Sequence, residues 1–81
     1  MNISNNLYRE LDAQEWQLCG YYIEKAQDYY ESERYSEARE SLNDAINICM
    51  ASEEYNAANK IRYYLRSVSY THLTLPTILL V

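Results

Sequence analysis

The chain has 81 residues and carries 12 acidic against 7 basic side chains, for a net charge of -5. That length allows one small domain at most, and the acidic balance speaks against a nucleic-acid or anionic-membrane surface. Two cysteines are too few for a disulfide framework, and a single histidine beside them is a poor zinc set. The opening MNISNNLYRE lacks a basic start and an apolar core, so it does not read as a signal peptide, and no run approaches the roughly 18 apolar residues of a membrane span. The expectation is a small all-α, cytoplasmic chain.

Residues 1–6 read as a flexible N-terminus. The cluster Ser4-Asn5-Asn6 offers an N-cap for a first helix over residues 7–32. Trp16, Cys19, Ile23, Ala26 and Tyr30 recur at spacings 3, 4, 3, 4, and Leu7, Leu11, Leu18 and Tyr22 broaden that stripe into one helix face. The polar segment Glu31-Ser32-Glu33-Arg34 forms a turn. A second helix over 35–50 places Tyr35, Ala38, Leu42, Ala45 and Cys49 at the same spacing, with Ile46 beside them. Ser52 is positioned to cap a third helix over 53–66, with Glu53 and Glu54 in its first turn and Tyr55, Ala58, Ile61 and Leu65 as its apolar seam. Short connections make these helices antiparallel neighbours, an up-down-up three-helix bundle.

Residues 67–81 differ abruptly from what precedes them. Every charged side chain lies within residues 1–66, while the last fifteen hold no charge, the one proline (Pro76), the one histidine (His72) and both valines. Residues 68–77, VSYTHLTLPT, resemble the read-through translation of a transposase sequencing-library adapter: GTC TCT TAT ACA CAT CTG ACG CTG CCG ACG encodes those residues in order. The resemblance implies an irregular, non-native tail over about 67–81, natural sequence that stops at or before Arg66, and no functional weight for His72 or Pro76. Leu79, Leu80 and Val81 are still expected to collapse onto an exposed helix face, because apolar surface adheres wherever it finds a partner.

Within residues 1–66 the aliphatic core is thin: leucine and isoleucine number ten, with no valine or phenylalanine. Nine tyrosines and Trp16 compensate, since an aromatic side chain buries about 150–250 Å². Ala26, Ala38, Ala45 and Ala58 let helices approach closely.

Residues 19–52 resemble one tetratricopeptide repeat, a helix–turn–helix unit. Tyr35, Ala38, Leu42, Ala45 and Ile48 fall on the family's second-helix pattern, and Tyr22, Ala26 and Tyr29 on its large–small–large first-helix positions. Lys25 stands where the family usually has Leu, Ala26 where it has Gly, and Met50 where it has Pro. A frame built on Trp16 and Gly20 fails, because it puts Ser32, Ser36 and Arg39 on apolar positions. The resemblance implies a concave groove for a peptide or helix, lined by Ile23, Gln27, Tyr30 and Glu31, with Glu54, Ala57, Ile61 and Tyr64 at the equivalent places of the next repeat. Set against this, Ile23 and Tyr30 equally suit the inside of a three-helix bundle. Tyr55-x2-Ala58-x2-Ile61-Arg62 with Leu65 is also similar to half of the UVR helical hairpin, and the Tyr-x2-Ala segment to microtubule-interacting-and-transport domains. Both are likewise docking modules.

No catalytic constellation is legible. Residues 1–66 contain no histidine, and one glycine cannot make a phosphate loop. The i, i+4 carboxylate pairs Glu24–Asp28 and Glu33–Glu37 lack the histidine partners of helical di-metal sites and read as solvated faces. Cys19 and Cys49 lie symmetrically about the turn at residue 34, so antiparallel packing brings them together, as paired core thiols or as a redox switch. One ring of each pair Tyr21–Tyr22, Tyr29–Tyr30 and Tyr63–Tyr64 is expected at the surface, where tyrosine suits a protein interface. The functional expectation is a non-catalytic protein–protein interaction module that needs no cofactor or metal and binds a protein or peptide. The alternatives are a self-associating structural bundle and a nuclease-type helical enzyme truncated before its catalytic residues.

Overall fold

The structure, a computed structural model, describes the backbone of residues 1–80 and the side chains of residues 1–70. Four helices follow one another, α1 (Ile3–Glu10), α2 (Ala13–Glu31), α3 (Tyr35–Ala51) and α4 (Tyr55–Leu80), and no strand occurs among the described residues. The fold is all-α. The three long helices pack in sequence, α2 on α3 and α3 on α4, while α1 folds back against α2 and also touches α4.

The N-terminal part corrects the sequence reading. Residues 1–6 are not a flexible lead, and residues 7–32 are not one helix. Asn2 caps α1, its Oδ1 accepting the Asn5 amide at 3.1 Å, so Ser4, Asn5 and Asn6 lie inside the helix rather than before it. The chain then breaks at Leu11, which is extended, and restarts at Asp12. The break is a capping box: the Glu15 amide donates to Asp12 Oδ1 at 2.8 Å, and the Asp12 amide donates to Glu15 Oε1 at 2.9 Å. Two orphan amides of α2 are thereby satisfied without glycine or proline. Leu7 and Leu11 are buried as expected, but as part of α1's own seam, Ile3–Leu7–Leu11, and not α2's.

The two later turns share one design. Glu33 and Glu53 both adopt left-handed backbone, with φ of 62° and 61°. Around them the Arg34 amide bonds the Tyr29 carbonyl at 2.8 Å and the Glu33 amide bonds Tyr30 at 3.0 Å; the Glu54 amide bonds Cys49 at 2.7 Å and the Glu53 amide bonds Met50 at 3.1 Å. This is the Schellman pattern, which satisfies the last carbonyls of a helix and normally takes glycine at the left-handed position. Ser52 therefore ends α3 instead of capping the next helix, and Glu53 and Glu54 precede α4 rather than forming its first turn. An L-residue in left-handed backbone costs about 1–2 kcal/mol, against which glycine loses some chain entropy. Glu33→Gly and Glu53→Gly are each expected to stabilise the fold by about 0.5–1 kcal/mol, read as a higher midpoint in urea melts with an unchanged slope.

One core runs through all four helices: Ile3 and Leu7 from α1, Cys19, Ile23 and Ala26 from α2, Ala38, Leu42, Ala45 and Cys49 from α3, and Ala57, Ala58, Ile61 and Val68 from α4. Half-buried rings of Trp16, Tyr22, Tyr29, Tyr30 and Tyr35 fill around it, as the composition required. Leu18 and Tyr55, read as core, are exposed. α4 does not stop at Arg66. Its seam continues through half-buried Leu65 to fully buried Val68, and the helix runs as far as Leu80. The side chains of His72, Pro76, Leu79, Leu80 and Val81, and with them the expected collapse of the tail, lie outside the described residues. Among the described residues no helix is long and apolar enough to cross a membrane.

Candidate helix-binding groove

The eight residues of α1 form two turns, too short for a stable helix in isolation. Its shape depends on where it lies, and it is held at both ends. At the N-terminus Gln27 of α2 accepts the free amides of Ile3 at 2.6 Å and Ser4 at 3.2 Å through Oε1, while its Nε2 donates to the Met1 carbonyl at 3.4 Å. At the C-terminus Lys60 of α4 donates to the Glu10 carbonyl at 2.7 Å. A helix leaves four amides unpaired at one end and four carbonyls at the other; here an amide oxygen from one neighbouring helix and an ammonium from another meet members of each set. The ammonium also complements the negative end of the helix dipole.

Alongside Lys60, the Tyr64 hydroxyl donates to Glu10 Oε2 at 2.7 Å. Burial, and then the Glu10 carboxylate that accepts its proton, push the Tyr64 phenol up to about 12, so the ring is a permanent donor at neutral pH. Between the two polar ends, Ile3 and Leu7 are wholly buried and Leu11 nearly so. Seen from α2 and α4, this is a groove with an apolar floor, a tip that accepts amides, a tip that donates to a carbonyl, and one hydroxyl that asks for a carboxylate. α1 fills it.

The sequence-derived groove residues distribute unevenly. Gln27 and Tyr64 bond α1 directly. Ile23, Ala57 and Ile61 are fully buried in the core cluster that also contains Ile3 and Leu7, so in this structure they face no solvent. Glu31 is exposed and borders a shallow cleft between α1 and α2 with Asn2, Ser4, Glu24 and Asp28. Tyr30 instead packs edge-on against Tyr35, with ring centroids 5.4 Å apart, and the Glu54 amide closes the α3–α4 turn. Ile3, Leu7, Glu10 and Lys60 were missed. The visible signals for them were the Asp12-x2-Glu15 box, which separates α1 from α2, and the i, i+4, i+8 recurrence of Ile3, Leu7 and Leu11 that the break leaves on α1 alone.

A second aromatic contact fixes the rim. The Trp16 ring lies over Gly20, where an added Cβ would come within 2.8 Å of Trp16 Cε2, and meets Tyr8 of α1 edge-on at 5.2 Å between centroids. Gly20 is thus the seat of a ring that leans on α1. Three residues along α2 from Trp16, Cys19 comes near Cys49 as the symmetry about residue 34 implied: both are buried free thiols, and Cys19 Sγ donates to the Glu15 carbonyl at 3.1 Å. Burial raises both thiols, Cys19 to about 12. Such thiols are poor nucleophiles. Among the described residues no cluster of His, Cys, Asp or Glu is placed to hold a metal ion, and Glu37 of the Glu33–Glu37 pair is engaged by Arg34. Compared with known protein families, curated proteins and solved structures, the chain matches no family model, no curated protein and no solved structure.

Proposed function

We propose that the chain is a non-catalytic protein–protein interaction module, tetratricopeptide-like in its α2–α3–α4 arrangement, which takes a peptide or helix in the groove between α2 and α4. The observation that carries this reading is that Gln27, Lys60 and Tyr64, on two different helices, all direct their polar groups at one short helix lying over a shared apolar floor. This is the helix-in-groove mode of recognition, in which apolar anchors at i and i+4 supply affinity and a few polar groups set register. Free buried thiols suit an intracellular, reducing setting.

The test is selection of helix-biased peptides by display against the full-length chain carrying Leu7→Asp, which unseats α1. Enriched peptides that lose binding when Gln27 and Lys60 are both replaced by alanine support the reading. Failure to enrich any peptide above an unrelated helical protein removes it. A self-associating bundle is the second reading, favoured by the exposed rings of Tyr55, Tyr63 and Tyr70 along α4; light scattering across a concentration series separates the two. The same proposal treats residues 67–81 as adapter-derived, and burial of Val68 is compatible with it because hydrophobic burial is non-directional. Sequencing the uninterrupted gene decides the point, and further Tyr-x2-Ala repeats beyond residue 66 would extend the module into an array.

A further inference from the structure

The site's occupant specifies its ligand. Resting on the interaction-module reading, we infer that α1 is a cis-seated stand-in, and that the groove takes in trans a helix of a partner protein carrying α1's pattern. That pattern is apolar residues at a first, fifth and ninth position, as Ile3, Leu7 and Leu11 are, and a carboxylate seven residues after the first, as Glu10 is.

Each element of the pattern is tied to a different part of the groove. Ile3 and Leu7, four residues apart, share one face of α1, and Leu11, the extended cap just past its end, is buried in the same core. An acceptor is demanded by Tyr64, a nearly buried donor that a wholly apolar helix would leave unpaired at the cost of any buried unsatisfied hydroxyl, and a carboxylate meets it with the stronger, charge-assisted bond. Gln27 and Lys60 bond main-chain atoms, two amides at one end and a carbonyl at the other, so they read where a helix begins and ends and not which side chains it carries. Asn5, Tyr8 and Arg9 face solvent and leave the other positions unrestricted. The groove therefore selects a two-turn amphipathic helix by length, apolar spacing and one acid.

α1 is suited to yield its place. Only Leu11 and Asp12 connect it to α2, neither glycine nor proline stiffens or hinges the join, and a two-turn helix has little stability of its own once unseated. Tethering nevertheless gives it an effective concentration in the millimolar range, so a trans helix competes poorly until α1 is weakened.

The experiment titrates a peptide of residues 1–12, fluorescently labelled at its C-terminus, with full-length Leu7→Asp chain and reads anisotropy. Saturable binding at least about tenfold tighter than to the wild-type chain is expected, with Glu10→Ala in the peptide weakening it about tenfold and Asn5→Ala leaving it unchanged. Equal binding to the two chains, or indifference to the Glu10 carboxylate, overturns the inference. Should Leu7→Asp lose its cooperative melt, full-length Glu10→Ala is the second receptor. That exposed change relaxes the cis contact without touching the core, and it is expected to bind the wild-type peptide with intermediate affinity; no gain over wild type overturns the inference equally. Peptides selected by display that bind the groove without the pattern would leave the interaction-module reading standing and remove this one; no binding of any peptide would remove both. A wild-type dimer that dissociates on Leu7→Asp substitution would assign the groove to α1 of a second copy and overturn the partner-protein assignment.

Discussion

Truncation of Ile61 to alanine is expected to lower stability by about 2–5 kcal/mol, the range for deleting a fully buried aliphatic side chain. Ile61 has no exposed surface and belongs to the cluster that joins α1, α2, α3 and α4. The aliphatic core is small, ten leucine and isoleucine residues before residue 67, and a domain of this size has few kilocalories to lose. Urea melts of full-length Ile61→Ala should therefore show a large fall in midpoint, to the point of partial unfolding near 37 °C. The control is Tyr63→Ala, two positions along the same helix and 63% exposed, which should stay within about 0.5 kcal/mol of wild type. The comparison also bears on the groove. Were Ile61 the lining of an open groove, its truncation would cost no more than that of Tyr63, and α1 would have to lie elsewhere. A large cost for Ile61 is what full burial in the shared core requires.

How much of this was legible beforehand depends on which interaction decides each element. α2 and α3 were readable because their stripes are long and regular: Cys19, Ile23 and Ala26, then Ala38, Leu42, Ala45 and Cys49, are buried where a 3.6-residue period puts them. The pairing of Cys19 with Cys49 followed from antiparallel packing about one turn. The ends of helices were harder. Periodicity alone carries Leu7 and Leu11 straight into the α2 stripe, and only the reciprocal hydrogen bonds of Asp12 and Glu15 break the helix there. Likewise Ser52 looked like an N-cap because serine favours that position, whereas the left-handed turn at Glu53 makes it the end of α3; glutamate gives no hint of left-handed backbone. Of the residues the resemblance picked out, Gln27 and Tyr64 bond α1 and Ile23, Ala57 and Ile61 are buried, but spacing within α2 and α4 could not reveal that a further element, α1, packs against both helices. That is a fact of tertiary packing. The pattern of a helix face states that it is apolar and leaves open what covers it.

Raising the pH is expected to unfold the chain, and to do so through three buried acids. Burial first, then hydrogen bonding and charge from Cys49 and Glu15, push Cys19 from 9.0 up to about 12; burial likewise raises Cys49, and burial with Glu10 raises Tyr64 from 10.0 to about 12. All three shifts have one sign: the folded chain holds these protons at pH values where the unfolded chain has released them. Their contribution to stability is then fully present below about pH 9 and is lost as pH rises from there towards 12. Cys19, with the largest set of causes acting in one direction, is expected to carry the greater part of that loss, in a domain with little stability to spare. Urea melts at pH 8, 9.5 and 11 read the effect. The full-length variant Cys19→Ala with Cys49→Ala starts from lower stability because it loses packing, yet its stability should fall less steeply with pH, since only Tyr64 of the three remains. Parallel pH profiles for the two chains would show that the thiols do not govern the alkaline transition, and that the phenol of Tyr64 or the loosening of α1 does.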